Sequence, residues 1–253
     1  MRFDWSPLRT ALKACRRDAL NIPIWWRDDD AIAHTAALDQ LGTLSNRLEL
    51  PVHLAVIPAH ANPSVVGAVA DFGMVPVVHG WAHVDHSAPG EKKNEFMTMR
   101  AGATEDTGTA LNVMTHLFGN RLRPMFVPPW NRINDQVTTG LARQGYSALS
   151  TFGARTQDRD TPGLVHINTH IDPIWWKGTR DLLDPDQLIA QTVTHLDARR
   201  TGTEDAGEPL GLLTHHLVHT PAIWSFTEQF LHEMRTGGAT PWAMATPRTE
   251  TET

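Results

Sequence analysis

The chain has almost no cysteine. Cys15 is the only one among 253 residues, which excludes an intrachain disulfide and a metal site built from several thiolates. The sequence also lacks any apolar stretch approaching the roughly 20 residues that a membrane-spanning helix needs. These absences leave histidine and carboxylate side chains as the candidate metal ligands.

Positive charge is also scarce. The chain carries 22 lysine and arginine residues against 28 acidic residues, for a net charge of −6. This balance argues against non-specific binding to nucleic acids or to anionic membranes. Residues 1–7 contain no basic segment followed by an apolar run, so the sequence predicts no secretory signal and a cytoplasmic location.

The length and the order of the apolar segments favour one α/β domain. A chain of 253 residues suits a single α/β barrel, since such barrels run to roughly 200–250 residues. Short apolar runs alternate with helical patterns, which predicts a mostly parallel sheet. The predicted strands span residues 22–26, 52–57, 74–78, 125–127, 146–151, 164–168 and 210–213. We expect one domain over residues 1–246, with a polar surface loop at 199–209, and a disordered tail over 247–253.

Three consecutive aspartates, Asp28, Asp29 and Asp30, follow the first predicted strand. Adjacent carboxylates repel one another, and burying them without a partner is costly, whereas a bound cation removes that penalty. A solvated acidic turn that caps the next helix, partly neutralised by Arg27, is the alternative for this cluster taken alone.

His79 and His83 come about fifty residues later, at the end of the third predicted strand. Side chains four residues apart on a helical turn share a face, so both imidazoles could reach one metal ion. A chance pair is the alternative, because the chain contains 14 histidines. One aspartate and two histidines would leave a coordination position open for water, as in a catalytic zinc site.

Polar and aromatic residues also follow other predicted strands. Pro129 and Trp130 follow the fourth strand, and His215 and His216 follow the last one. Ligands of parallel α/β folds bind at the carboxyl ends of the strands, so this shared placement predicts one site. A histidine beside a metal and a carboxylate could act as a general acid. A third metal ligand or a hydrogen-bonded structural histidine are the alternatives for that residue.

The first two motifs resemble those of the polysaccharide deacetylase family, which is NodB-like and is also known as carbohydrate esterase family 4. Residues 27–31 are similar to its first motif, Thr-Phe-Asp-Asp-Gly. The segment from His79 to His83 resembles its second motif, His-(Ser/Thr)-x-x-His, with Gly80 in place of the hydroxyl residue. The resemblance implies a distorted (β/α) barrel as the fold of a single domain.

The three remaining motifs of the family have weaker counterparts, and the whole resemblance covers roughly residues 22–244. The third, fourth and fifth motifs look like residues 127–131, 172–176 and 213–215. The arginine that orients the base in the third motif is missing at the matching place. The candidates to replace it are Arg27, Arg123 and Arg132.

The resemblance implies roles for individual residues. Asp30, His79 and His83 would bind a divalent metal ion, with zinc expected. Asp29 would be the catalytic base and His215 the acid that protonates the leaving amine. The pocket for the substrate would be shaped by Pro129, Trp130, Asp172 and Trp175.

Two assignments stay open in the sequence. The base could be Asp28 if the first motif is shifted by one residue, and the acid could be His216. The function implied is that of a metal-dependent hydrolase that removes an acetyl group from an N-acylated amino sugar or saccharide. A related amidohydrolase acting on a small non-sugar amide is one alternative, and a non-catalytic carbohydrate-binding relative is the other. The oligomeric state is not indicated.

Overall fold

A computed structural model describes residues 2–156 and 161–245, so the predicted tail at 247–253 lies outside the described residues. The described chain forms one eight-stranded sheet with seven α-helices. The strands are β1 (Pro23–Ala31), β2 (Val52–Val56), β3 (Val75–His79), β4 (Met125–Val127), β5 (Ala148–Leu149), β6 (Val165–His166), β7 (Leu210–Thr214) and β8 (Thr240–Pro241). The helices are α1 (Ser6–Arg17), α2 (Ala36–Leu48), α3 (Ser64–Asp71), α4 (Ala103–Phe118), α5 (Asp135–Gln144), α6 (Pro185–Thr201) and α7 (Pro221–Thr236).

The strands form a curled sheet. Their order is β6-β5-β4-β3-β2-β1-β7, each neighbouring pair is parallel, and β8 adds to the start of β1. A parallel bridge between Ile171 and Leu212 joins the segment after β6 to β7. Because this bridge connects the two edges, the sheet is a distorted barrel, as the sequence predicted.

The two faces of the sheet have different partners. One buried cluster contains strand residues and no helix residue, so it fills the inside of the curled sheet; its members are Trp25, Ala55, Val77, Met125, Val127, Ala148 and Ile167. The other cluster joins the outer face to the helices and includes Trp26 of β1. Alternation along β1 therefore sends Trp25 inward and Trp26 outward.

The helices begin where the sequence supplies capping residues. Asn134 accepts a hydrogen bond from the backbone N–H of Val137 at the start of α5. Asp184 caps α6 ahead of a proline at the first helical position. None of the helices in the described part of the chain is both long and apolar enough to cross a membrane.

The segment at 199–209 differs from the predicted polar surface loop. Helix α6 continues into it, and the side chains of Arg199 and Glu208 are buried. Glu208 accepts hydrogen bonds of 2.9 Å from the backbone N–H groups of Arg155 and Asn168. These buried polar contacts attach the segment to the barrel wall, which explains why several of its charged residues are not solvated.

Candidate active site

Asp29 lies on the inner face of β1, where alternation also places Trp25 and Arg27. The guanidinium of Arg27 donates two hydrogen bonds to the Asp29 carboxylate, with Nε–Oδ1 at 2.9 Å and Nη2–Oδ2 at 3.0 Å. Arg27 also donates to Ser150 Oγ and to Asn131 Oδ1, both at 2.6 Å. This two-point contact fixes the direction of the Asp29 carboxylate and balances its buried charge.

Arg27 therefore makes a contact with Asp29 of the kind expected of the arginine that the third motif lacks. The two other candidates have different partners: Arg123 donates to the carbonyl of Met244, and Arg132, which also lines the cavity described below, donates to a backbone carbonyl in the loop after β3. An arginine two residues before Asp29 reaches it directly, because residues i and i+2 of a strand share a face.

Asp30 lies at a break in the β geometry. The register between β1 and β2 shifts between Asp28 and Ala31, and the φ angle of Asp30 is 72°. A bulge of this kind redirects a side chain. Its oxygen Oδ1 lies 3.0 Å from Nε2 of His79 and 3.2 Å from Nε2 of His83.

The donor set of Asp30, His79 and His83 fits a divalent metal ion. One ligand atom from each residue lies within 4.8 Å of the others, and two imidazoles with one carboxylate suit zinc. The Nδ1 atom of His79 lies 3.0 Å from the carbonyl oxygen of Val127, so this hydrogen bond leaves Nε2 as the ligand atom. Burial raises the pKa of Asp30, but hydrogen bonds from the two histidines outweigh it and hold that pKa well below its usual range.

The loop that carries His83 is held by a buried glutamate. The carboxylate of Glu95 accepts hydrogen bonds from the backbone N–H groups of Trp81 (3.2 Å) and Ala82 (2.8 Å). Gly80 has a φ of 55°, and a Cβ atom there would lie 2.4 Å from Oε2 of Glu95. This contact explains why glycine stands where the second motif has serine or threonine.

His215 and His216 point to different places. The ring of His215 lies edge-on to Trp176, with 4.7 Å between ring centroids. His216 is buried, and its Nδ1 atom is 2.5 Å from Oδ1 of Asp28. Burial raises the pKa of Asp28, yet the charge of His216 and the hydrogen bonds outweigh it and lower that pKa. Of the two histidines, only His215 is among the residues lining the cavity described next, and Asp28 faces away from it.

A cavity of about 950 Å³ contains the five residues predicted to act in catalysis or metal binding, namely Asp29, Asp30, His79, His83 and His215. They reach it from the ends of β1, β3 and β7, which are neighbours or near neighbours in the sheet. The carboxyl end of the parallel sheet therefore brings together residues up to 186 positions apart in the chain, from Asp29 to His215.

Two of the four residues predicted to shape the pocket line this cavity. Trp130 and Asp172 line the cavity, whereas Pro129 and Trp175 do not. Pro129 is buried beside Gly80 of the loop after β3, and the ring of Trp175 packs over its own loop. Trp176 lines the cavity instead, because its Nε1 atom donates a 2.7 Å hydrogen bond to Asp172. Burial raises the pKa of Asp172 above its ordinary value.

Two other site residues were not predicted. Glu95 gives no local signal, since it binds the backbone of Trp81 and Ala82 from 14 and 13 residues further along the chain. Asn131, which accepts a hydrogen bond from Arg27, lies inside the third motif, but the resemblance assigns it no role. Its φ of 57° and that of Trp130, 56°, mark an unusual backbone turn that the sequence does not reveal.

Solved structures that share this fold include deacetylases. The family 4 carbohydrate esterase from Streptomyces lividans, determined in complex with acetate, is 15% identical over 90% of this chain and 95% of that chain, with a TM-score of 0.56. The peptidoglycan deacetylase PdaC from Bacillus subtilis is 14% identical over 87% of each chain, with a TM-score of 0.55. A family 4 pseudoenzyme from Bacillus anthracis is 12% identical over 87% of this chain and 63% of that chain, with a TM-score of 0.55.

No protein-family model matches the sequence, and no curated protein matches it significantly. The structural likenesses confirm the predicted NodB-like barrel as the fold. At identities of 12–15%, these likenesses show the fold alone, and the reaction depends on the side chains of the site.

Proposed function

We propose that this protein is a metal-dependent hydrolase that removes an acetyl group from an N-acylated amino sugar or saccharide. One observation carries the proposal. The cavity holds a carboxylate paired with arginine, Asp29, beside the cluster of Asp30, His79 and His83, with a histidine, His215, on the same cavity wall. A base, a metal-ligand set and an acid are the parts that amide hydrolysis needs.

Asp30, His79 and His83 would hold the metal ion, for which zinc is expected. A divalent cation in such a site polarises an acyl oxygen and lowers the pKa of water to about 7. Asp29 would accept the proton of the attacking water, and the bidentate contact with Arg27 would keep its carboxylate aimed at that proton.

His215 would donate a proton to the amine nitrogen as the amide C–N bond breaks. Water supplies the new C–O bond, so the products are acetate and a free amine. The Nδ1 atom of His215 has no hydrogen-bond partner among the described residues, and Asp172 lies close enough to interact with its charge. These neighbours are consistent with a histidine that exchanges protons with a ligand.

Arg27 weakens the case for a non-catalytic carbohydrate-binding relative. The missing arginine of the third motif is the feature that favours that alternative, and Arg27 makes the contact with the proposed base that this arginine is expected to make. A small non-sugar amide remains an alternative substrate, because the chemistry of the site would act on any accessible amide.

The substrate we propose is short: a single N-acetylated sugar, a short oligosaccharide, or a nucleotide-bound or lipid-linked precursor. The expected cytoplasmic location, which is also part of the proposal, would keep the protein away from assembled cell-wall polymer. The aromatic rings of Trp130 and Trp176 line the cavity and could pack against sugar rings. The side chains of Lys93, Arg132 and Arg180 also line it and would suit a phosphate-bearing precursor.

Acetate release by the purified protein tests this proposal. N-acetylglucosamine derivatives are compared with small ureides and imides, each after chelation and after return of zinc. We expect zinc-dependent acetate release from the acetylated sugars and no ammonia or acid from the ureides and imides. Turnover of the ureides or imides alone would favour the small-amide alternative.

A further inference from the structure

Asp28 is the buried aspartate that the proposed reaction leaves without a role. Its side chain is fully buried on the outer face of β1, opposite the cavity. The family motif has phenylalanine at this place in the alignment that assigns Asp29 and Asp30 to base and metal ligand. A buried carboxylate in place of an apolar ring is costly unless it makes specific hydrogen bonds, so its partners are informative.

The partners of Asp28 lie on both sides of His215. Its Oδ2 atom accepts a 2.6 Å hydrogen bond from the hydroxyl of Thr214 and a 3.0 Å hydrogen bond from the backbone N–H of His216. Its Oδ1 atom is 2.5 Å from Nδ1 of His216. The Thr214 hydroxyl in turn accepts a 2.8 Å hydrogen bond from Nε1 of Trp26. Every contact is buried, which strengthens each hydrogen bond.

The chain leaves the sheet at this point. Thr214 is the last residue of β7 and pairs with Asp28 in the ladder, and a short 3-10 turn begins at His216. His215 is thus a single residue between two anchored neighbours, with φ −143° and ψ 86°. Because both neighbours bind one carboxylate, Asp28 holds the chain on each side of His215.

We propose that Asp28 is a positioning residue that aims His215 at the leaving group of the substrate. It touches neither the metal ligands nor the cavity, and it acts through the turn formed by Thr214, His215 and His216. This inference rests on the proposed function for the role of His215. The contacts that define the turn do not depend on that role.

The test uses two substrates that differ in their leaving group. An N-acetylated amino sugar needs a proton on its amine, whereas p-nitrophenyl acetate releases a phenolate that leaves without one. In the zinc-loaded protein, Asp28→Asn keeps the shape of the side chain but presents an amide N–H₂ where His216 needs an acceptor. We expect turnover of the sugar to fall by about 10–100-fold, as misplacement of a catalytic group does, with little change on the ester.

A double variant tests whether Asp28 acts through His215. In a His215→Ala background, Asp28→Asn should have no further effect on the sugar, because the group that it aims is already gone. Equal losses on both substrates, or losses that multiply in the double variant, would overturn the proposal.

Glu208→Gln is the matched control. Glu208 is also a buried carboxylate that accepts two backbone N–H groups and lies beside a histidine, His170, at 3.4 Å, but it does not line the cavity. The Glu208→Gln substitution should leave the ratio of sugar turnover to ester turnover unchanged. If Asp28→Asn does not fold, Thr214→Val removes the hydrogen bonds that the Thr214 hydroxyl makes with Asp28 and Trp26 and should change the ratio in the same direction.

The imidazole signals of His215 separate this inference from the proposed function. They are identified in ¹H–¹⁵N spectra of the zinc-loaded protein by their loss in His215→Ala. Asp28→Asn should shift or broaden them even if the wild-type protein hydrolyses neither substrate, an outcome that would reject the proposed function alone. Unchanged His215 signals in folded Asp28→Asn would reject the positioning role.

Discussion

Asp28, Asp29 and Asp30 are consecutive in the chain, yet each faces a different environment. Asp29 faces Arg27 inside the barrel, Asp28 faces His216 outside it, and Asp30 turns toward the two histidines of the cavity. The first two directions follow from the alternation of a strand, and the third follows from a bulge. One short segment therefore supplies the proposed base, a buried anchor and a metal-ligand candidate.

The alternation could have been used to choose among the candidate arginines. Arg27 and Asp29 are two residues apart at the end of a predicted strand. Side chains at i and i+2 of a strand lie on the same face, and this does not depend on the rest of the fold. The bulge could not be predicted in this way. A φ of 72° at a non-glycine residue depends on tertiary contacts that hold it, and no local pattern in the sequence specifies it.

Substitution of Asp29 separates catalysis from metal binding. Asp29→Asn should keep the metal, since Asp30, His79 and His83 remain, but asparagine cannot accept the proton of the attacking water. We expect acetate release to fall by about 10²–10⁴-fold, with both the sugar and the ester affected. Zinc content and acetate release are measured on the same preparation. Near wild-type turnover by Asp29→Asn would show that Asp29 is not the base.

At the scale of elements, the loop between β3 and α4 sets the position of His83. Gly80 is packed tightly between Glu95 and Pro129. A Cβ atom at this position would lie 2.4 Å from Oε2 of Glu95 and 2.5 Å from Cδ of Pro129. Only glycine fits at position 80 beside Glu95 and Pro129, which accounts for the departure from the family motif. The sequence shows that the motif differs here, but the reason depends on contacts that only the structure reveals.

Restoring the serine of the family motif should harm this protein. Gly80→Ser adds a clash to a left-handed backbone, so we expect it to lower the free energy of unfolding by about 2–5 kcal/mol. Displacing Glu95 would also release the loop that carries His83 and weaken zinc affinity. Gly73→Ser is the control, because Gly73 has a φ of 64° but no atom within 4 Å, so only the backbone cost of about 1–2 kcal/mol applies. Equal effects of the two variants on stability and zinc affinity would contradict this explanation.

The segment after α7 is attached to the barrel through a buried histidine. His53 of β2 accepts a 3.0 Å hydrogen bond at Nε2 from the backbone N–H of Met244, and its ring stacks on Trp242. Burial lowers the pKa of His53 to about 4. An ordinary histidine has a pKa near 6.5, so as pH falls from 6.5 to 4 the unfolded chain takes up a proton that the folded chain does not.

Stability should therefore decrease as pH falls through this window. The loss from His53 is on the order of 3 kcal/mol at pH 4, and His219, whose pKa burial also lowers to about 4, acts in the same direction. His53→Gln should make the decline between pH 6.5 and 4.5 shallower, as measured by urea unfolding. His60→Gln, at an exposed position, is the control. A decline as steep in His53→Gln as in the control would contradict the argument.

At the scale of the whole molecule, much of the fold follows from the sequence. Each of the seven predicted strands overlaps an observed one, because apolar runs with helical patterns between them specify a parallel barrel. The eighth, Thr240–Pro241, was missed because two residues leave no periodic pattern. The burial of Glu208 and Arg199 in a polar segment depends on contacts distant in sequence and could not be foreseen.

Substrate length is a prediction about the whole cavity. A space of about 950 Å³ is in the range of pockets that enclose a small ligand, and cationic side chains line it in a chain of net charge −6. We expect faster acetate release from single or short N-acetylated sugars, and from their phosphorylated forms, than from insoluble polymer. Matched substrates with zinc supplied provide the measurement. Faster turnover of polymer than of every short substrate, or recovery of the native protein outside the cytoplasm, would reject the proposed substrate class.

The central claim is that Asp30, His79 and His83 hold the metal that deacetylation requires. It is tested most directly by elemental analysis and acetate release on one preparation each of the wild-type protein, His79→Ala and His60→Ala. The account predicts that the wild type and His60→Ala bind one zinc ion per chain and release acetate, and that His79→Ala loses both properties while remaining folded. Full metal occupancy or undiminished acetate release in His79→Ala would contradict it.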